Sequence, residues 1–250
     1  MDPLEAQLRR QIERSRHFFW HRLRWRFVAS RLPAGKPIHV LDVGAGAGLI
    51  GEYLERYRPK ATYRFIEPIE SLEKHLEKRF GVEANARDLA SYEPMDVVTL
   101  LDVLEHQRDD HSFVTDLVGR MRPGARLVLT VPALQGLWSA WDVGLGHHRR
   151  YTKPSLQKAL TDSAGRIEEI TYLFPELVPA AFLRRLRRPA QDGTSPTAEE
   201  FQFPEVPGWV NGLLYAVGSV TLSMRRIWPF GTSLAAVIRR TDGPIRSDGA

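Results

Sequence analysis

Cysteine is absent from the 250-residue sequence. That excludes disulfide frameworks, thiolate metal sites and thiol nucleophiles, and it is compatible with a reducing cytoplasm. Long apolar runs are missing too. The segment 1–27 interleaves charged and apolar residues throughout, so it lacks the h-region of a secretory signal, and export is not expected. Lysine is scarce: six lysines leave 29 of the 35 basic residues as arginine, and the net charge is +5. Such a surplus favours anionic partners such as nucleic acid, phosphorylated substrates or lipid headgroups, and biased codon usage explains it equally well. Internal repeats and low-complexity tracts are lacking. With 43% hydrophobic and 26% charged residues, the composition is that of a soluble globular protein, and the length suits one large domain.

Apolar runs alternate with amphipathic stretches, the pattern of βαβ units and a parallel sheet. Strands are predicted at residues 38–43, 63–66, 82–86, 96–101, 126–131, 167–173 and 233–238, seven in all. Helices fall at 47–57, around Leu72, Leu76 and Phe80, and at 113–121 and 153–163, the last capped by Thr152 and stopped near Gly165. The expected layout is an N-terminal helical cap over 1–34, a core over 35–173, a helical insertion over 174–230 between strands six and seven, and a last strand and tail over 231–250. Within the insertion, 177–186 reads as a helix, 188–207 as a polar, proline-rich stretch, and 206–224 as uncharged.

The sharpest motif is the run 40–48, a strand ending in Asp42 and a glycine-rich turn of Gly44, Gly46 and Gly48 that opens a helix. Glycine permits close backbone approach and positive φ. A second acid, Glu67, ends strand two, where such folds bind ribose hydroxyls. Gly46, Gly48 and Gly51 also satisfy GxGxxG, the dinucleotide pattern. In dinucleotide enzymes the first glycine abuts the strand, and here the glycine in that place is Gly44, from which the pattern fails at Leu49. Asp42 beside the turn suits a cationic amino-acid moiety better than a pyrophosphate.

Together with Glu67, Asp88-Leu89 after strand three, the run 97–106 and the run 121–132, this motif resembles the class I S-adenosylmethionine (SAM)-dependent methyltransferases, especially the branch containing ubiquinone-biosynthesis O-methyltransferases. The resemblance spans residues 38–132. It implies a Rossmann-like α/β fold with a seven-stranded, mostly parallel sheet, and SAM as cofactor. By that similarity Asp42, Gly44 and Gly46 surround the methionine portion, Gly48 completes the turn, Glu67 holds the ribose, Asp88 and Leu89 the adenine, and Leu101 the sulfonium side. The sequence departs from the commoner PGG turn at Ala125.

Ligands of parallel α/β sheets lie beyond the carboxyl ends of the strands, so the segment after strand five should border the transferred methyl. Residues 137–152 concentrate Trp138, Trp141, His147, His148, Arg149, Arg150 and Tyr151. Trp138, Trp141, His148, Arg149 and Tyr151 are the candidate substrate-binding residues. His147 is the candidate general base for an acceptor hydroxyl, and the competing role for His147 and Arg149 is to fix the loop by hydrogen bonds. The run 146–152 resembles one in bacterial methyltransferases of this branch, as does His17-Phe18-Phe19-Trp20, which reads either as a lid or as core. No metal is expected, and the nearby acids Asp102 and Asp142 read as loop structure.

The uncharged run carries Asn211, Gly212, Gly218 and Ser219, too polar for a membrane span. An amphipathic helix is expected, with Val210, Leu213, Leu214, Val217, Val220 and Met224 as its apolar stripe. That stripe either rests on an anionic membrane surface or is buried in the domain or in a homodimer interface. The expected enzyme is a cytoplasmic methyltransferase, with peripheral contact to the inner membrane surface as an option. It acts on a small-molecule acceptor, through a hydroxyl of a quinone-like, polyketide, sugar or lipid-linked compound. The competing classes are an RNA or protein methyltransferase and a SAM-binding protein without catalysis. Nucleic acid is not expected as a partner, because no binding module is present and no NPPY-like tetrapeptide follows strand four.

Overall fold

The computed structural model describes residues 17–35, 37–89, 95–161, 163–187 and 206–242. The first sixteen residues of the predicted cap and most of the polar stretch at 188–207 lie outside the described residues. Helix α1 (Phe19–Ala29) leads into β1 (His39–Val43), α2 (Leu49–Tyr57), β2 (Thr62–Ile66), α3 (Glu70–Phe80), β3 (Val97–Leu101), α4 (Asp110–Arg120) and β4 (Arg126–Pro132). There follow α5 (Ala140–Gly144), α6 (Lys153–Leu160), β5 (Gly165–Leu173), α7 (Val178–Arg187), α8 (Gly208–Ser223) and β6 (Ser233–Arg240).

The strands form one sheet in the order β2-β1-β3-β4-β6-β5. The first four run parallel, and β6 lies antiparallel between β4 and β5. Helices cover both faces, so the central strands are buried on both sides and read as nearly continuous apolar runs. On one face Leu41, Val98, Leu100, Leu127 and Leu129 pack with Val114, Leu117 and Val118 of α4 and Leu156 and Leu160 of α6. On the other, Val40, Val97, Val128, Ala235 and Val237 pack with Leu23, Phe27 and Val28 of α1 and Ile50 and Leu54 of α2. Asp109 and Thr152 cap α4 and α6 through bonds to the Ser112 and Ser155 amides.

Six strands are present among the described residues, and the expected strand at 82–86 is a correction. Residues Val82–Ala84 form a 3₁₀ turn, and only Asn85 bridges to Phe65. Local polar bonds override the strand pattern. The Asn85 amide donates to Glu73 and Glu77, its oxygen accepts from the Arg87 amide, and Val82 is exposed, with no apolar burial to favour pairing.

Helix α8 forms where expected, with most of its apolar stripe turned to solvent. Small and polar residues face the domain together with Leu214, Tyr215 and Leu222. Asn211 accepts from the Phe19 amide and donates to the His17 carbonyl, Thr221 donates to Glu176, and a Cβ at Gly218 would meet Leu23 at 2.3 Å. The close approach at Gly218 decides which face turns inward. Of the expected stripe, Leu213, Val217, Val220 and Met224 are exposed, as is Trp209 at 74%.

Candidate active site

The carboxyl ends of the strands share one cavity of about 840 Å³, inside the range of roughly 300–1,000 Å³ typical of small-molecule sites. Backbone strain gathers at this end. Asp102, Leu134 and Phe174, just beyond the ends of β3, β4 and β5, hold φ of 58°, 61° and 58° although none is glycine. Such conformations cost on the order of 1–3 kcal/mol each and persist where the surroundings over-determine them.

The glycine turn forms one wall. Gly44, Gly46 and Gly48 all have positive φ, and a Cβ on Gly44 would stand 2.5 Å from Val103 Cγ2. The amides of Gly44 and Ala45 both donate to the Ile66 carbonyl, that of Gly48 to the Ala45 carbonyl, and that of Gly46 to Glu67 Oε2 at 2.7 Å. These four N–H groups already have acceptors and are not free to cradle a pyrophosphate, which weighs against the dinucleotide reading. Glu67 Oε1 also accepts from the Ile69 amide, at 3.0 Å.

Asp42 Oδ1 accepts from the Thr99 hydroxyl at 2.6 Å, and Oδ2 from Tyr63 at 3.3 Å. Burial pushes Asp42 from 3.8 to about 6, with Thr99 and Tyr63 opposing it, and burial likewise raises Glu67. Neither acid has an ion-pair partner within 4 Å among the described residues. Two buried acids lacking a paired cation fit a ligand that carries an ammonium group and ribose hydroxyls. SAM has both.

Helix α1 supplies the roof. Phe18, Phe19, Trp20, His21, Arg24 and Trp25 line the cavity while Phe19 and Trp25 also belong to the core, so lid and core packing are one arrangement. Arg24 Nη2 lies 3.1 Å from Asp102 Oδ2 and 3.3 Å from Thr130 Oγ1, tying the roof to the ends of β3 and β4. Burial, then Arg24, lowers His21 to about 3, so it is neutral. Neither His21 nor Arg24 stood out in the sequence beyond lying in an aromatic stretch.

The opposite wall is built from the loop after β4. His147 Nδ1 lies 2.9 Å from Asp142 Oδ1, which also accepts from Arg150 Nε at 2.7 Å, while Asp142 Oδ2 accepts from the Ser139 amide at 3.0 Å. Burial raises the Asp142 carboxyl, and the bonds from His147 and Arg150 outweigh it, holding the group below its ordinary value. An ionised carboxylate accepts only, so His147 donates its Nδ1–H to Asp142. Nε2 lies 3.9 Å from Glu105 Oε1, and the His106 and His147 rings meet edge to face with centroids 4.9 Å apart. Glu105 is fully buried, and among the described residues neither of its oxygens has a hydrogen-bond partner on another residue. Burial, then the Asp102 charge, pushes it well above the carboxylate range, and burial, then His147, lowers His106 to about 4.

The expected residues therefore divide. Asp42, Gly44, Gly46, Glu67, Leu101, Trp141 and His147 line the cavity, and Gly48 lies behind it at the start of α2. Asp88 is exposed and Leu89 half-buried outside the lining, beside residues 90–94, which lie outside the described residues. Trp138, His148 and Arg149 also lie off the lining. Arg149 donates to the Arg108 carbonyl and pairs with Asp110 at 2.8 Å, which is loop fixing. Tyr151 is a correction. It is a core residue, 1% exposed, whose hydroxyl donates to Asp110 Oδ2 at 2.8 Å, so it does not face a substrate. Asp142 caps α5 and holds His147 and Arg150, whereas Asp102 lines the cavity, pairs with Arg24 and accepts from Thr130. The Glu105–His106–His147 group escaped notice, because His147 is distant in sequence from the adjacent pair Glu105 and His106.

A methyltransferase-domain family model matches residues 5–165. The ubiquinone biosynthesis O-methyltransferase of Xanthomonas euvesicatoria pv. vesicatoria (strain 85-10) is 26% identical over 176 residues, covering 62% of this chain and 73% of the relative. A SAM-dependent methyltransferase from Archaeoglobus fulgidus superposes with a TM-score of 0.51 at 16% identity, over 86% of this chain and 91% of that one. A chain of the complex between the Haloferax volcanii Trm112 methyltransferase activator and the putative methyltransferase gives 0.59 at 15% identity, covering 96% and 95%. With the matched family domain, the glycine turn and the two unpaired acids converging on one cavity, the chain belongs to the methyltransferase-domain family and is a class I SAM-dependent methyltransferase.

Proposed function

We propose that this methyltransferase acts on a hydroxyl oxygen of an apolar small molecule, quinone-like or lipid-linked, bound between the glycine turn and the His147 wall. The observation that carries this reading is His147 itself, which lines the cavity and whose Nδ1 is held by Asp142 at 2.9 Å. Bound SAM supplies a methyl group already activated on a sulfonium sulfur, which leaves positioning, exclusion of water and activation of the acceptor to the protein. In this reading Asp42 and the turn at Gly44 and Gly46 hold the methionine end, Glu67 holds the ribose and Leu101 flanks the sulfonium. His147 activates the acceptor hydroxyl, and Arg150 and Asp142 keep its ring in place. Trp141, Leu177 and Ala180 form an apolar wall that excludes water. A cavity of about 840 Å³ lined in this way is of a size that suits a small acceptor.

Two measurements test the proposal. Extract fractionated into lipid, small-molecule, RNA and protein pools and incubated with labelled SAM should carry label in the lipid or small-molecule pool, and label confined to RNA or protein would overturn the substrate class. His147→Gln should bind S-adenosylhomocysteine as the parent does while turnover falls by roughly 10²–10⁴.

The exposed face of α8 supports the further reading that the protein rests on an anionic membrane. Leu213, Val217, Val220 and Met224 point outward, Trp209 and Ile227 flank them in the chain, and the exposed cation Arg226 follows Met224 closely in sequence. An apolar face edged by arginine complements anionic headgroups, and no helix of the described residues is long and apolar enough to cross a membrane.

A further inference from the structure

We infer that the recess between Arg31, Arg126, Arg225 and Arg226, at the amino ends of β4 and β5, binds a dianionic phosphate group, free in a soluble compound or carried on a lipid. The recess has a volume of about 340 Å³ and shares no lining residue with the active-site cavity. It lies at the opposite end of the strands, because Arg126 opens β4 while Pro132, which closes it, lines that cavity. Charge, backbone geometry and spare hydrogen-bond donors point to the same ligand.

The acids in the lining are Glu168 and Glu169. Four guanidiniums against two carboxylates leave two positive charges, which a phosphate monoester matches at neutral pH. Burial raises Glu169, and the bonds from Arg31 and Arg225 outweigh it, holding the group below its ordinary value, so it stays ionised. Arg166 and Arg239 add to the surplus at the rim, each 3.9 Å from Glu168 Oε1.

Successive side chains of a strand point to opposite faces, yet Glu168 and Glu169 line the same recess. A bulge causes this. The pairing of β5 with β6 shifts register between Ile167 and Glu169, which leaves Glu168 without a partner opposite. The two acids then fix the guanidiniums. Glu168 accepts from Arg126 Nε at 3.2 Å, and Glu169 accepts from Arg225 Nε at 2.8 Å and from Arg31. Backbone carbonyls take a second donor each, Arg31 from Arg126 Nη1 at 3.0 Å and Leu222 from Arg225 Nη1 at 3.4 Å. Arg31 also stacks on the Phe27 ring, 4.3 Å from its centroid. The cations are therefore ordered before any ligand arrives, which lowers the cost of binding.

Arginine has five N–H groups, and these contacts do not use them all. Nη2 of Arg126 and of Arg225 has no partner among the described residues. Arg226 is 81% exposed, and its one acidic neighbour, Glu169, stands 4.0 Å away. Guanidinium forks match the oxygens of phosphate better than any other side chain does. In this arrangement the acids orient the arginines and the spare donors meet the ligand.

The test titrates the full chain with inorganic phosphate by calorimetry, in a low-salt buffer without SAM or acceptor, so that its outcome is independent of the methylation reaction. One equivalent should bind with a Kd of about 1 mM or tighter, and acetate should not bind in that range. Arg126→Gln and Arg225→Gln should each weaken phosphate by about ten- to a hundredfold, the loss of a charge-assisted bond. Both residues also hold neighbouring chain, so Arg226→Gln, at an exposed position, decides the matter should they unfold. It should weaken phosphate by about two- to fivefold with circular dichroism and Tm unchanged. Arg79→Gln removes an exposed cation on α3 and should leave phosphate binding as it is. Flotation with phosphatidate vesicles separates the two sources. Flotation that Arg226→Gln lowers assigns the phosphate to a lipid, and saturable free phosphate without such flotation assigns it to a soluble compound. If the folded parent binds no phosphate below about 10 mM, or if the folded arginine variants bind it as the parent does, the recess is a clamp on the ends of α1 and α8 and no ligand site exists.

Discussion

Replacement of Asp42 by asparagine should make the ligand-free protein more stable and the cofactor site weaker. Asp42 is buried at the end of β1, and burial raises its carboxyl from 3.8 to about 6 despite the bonds from Thr99 and Tyr63. Between these values the folded protein keeps a proton that the unfolded chain has released, so stability without ligand falls as pH rises through about 4 to 6 and stays low above it. The displacement corresponds to about 3 kcal/mol. Asparagine is nearly isosteric, can meet both hydroxyls and never ionises. At pH 7.5 the variant should therefore exceed the parent by about 1–3 kcal/mol, or roughly 2–10 °C in Tm, and the two should converge near pH 4. Glu67 shifts in the same direction, and the difference between the two proteins isolates Asp42. Loss of a charge-assisted bond to the methionine ammonium, worth about 1.5–3 kcal/mol, should weaken S-adenosylhomocysteine by roughly ten- to a hundredfold. Urea unfolding at pH 4.5 and 7.5 with isothermal titration would read both effects. A variant no more stable than the parent at pH 7.5, with cofactor affinity intact, would refute the account of Asp42 as a buried, unpaired acid that the cofactor relieves.

Gly44→Ala places a methyl 2.5 Å from Val103 Cγ2 at a φ of 69°, and it should cost about 1–3 kcal/mol of stability and most cofactor binding. Adding Val103→Ala would relieve the clash but not the backbone strain, so titration should show only partial recovery. Tyr151→Phe removes the bond to Asp110 from the core and should destabilise by about 1–3 kcal/mol in urea unfolding, with acceptor KM unchanged. A raised KM would return Tyr151 to the substrate site. Trp209→Glu should lower flotation with phosphatidylglycerol vesicles, leaving uncharged vesicles as a baseline. If the parent instead stays in solution as a dimer that the substitution splits, the outward face of α8 is a subunit interface.

The glycine turn was legible because its function is backbone geometry, and backbone geometry is what Gly44, Gly46 and Gly48 encode directly. The acids Asp42 and Glu67 were legible for a related reason, since each ends a strand whose apolar pattern fixes where it stops. The loop after β4 was only half legible. Its dense run of aromatic and basic residues reads as one cluster, yet the chain turns Trp141 and His147 inward, His148 outward and Tyr151 down into the core, and no periodicity marks those turns. Helix α8 was recognised as a helix, but its facing was decided by Gly218 and Asn211 meeting α1, contacts between segments far apart in the chain. The same separation hid the approach of Glu105 to His147. Strand pairing at 82–86 failed because Asn85 is claimed by Glu73 and Glu77, a competition that a hydrophobic pattern does not register.

The placement of β6 between β4 and β5 bears on how the molecule is made. A ribosome delivers every other strand first, so the flank of β4 and the whole of β5 must wait, edges open, until Arg240 has left the exit tunnel. During that interval the nascent polypeptide presents unpaired strand backbone, a template for aggregation, and chaperone occupancy should peak there and drop once the final strand slots in.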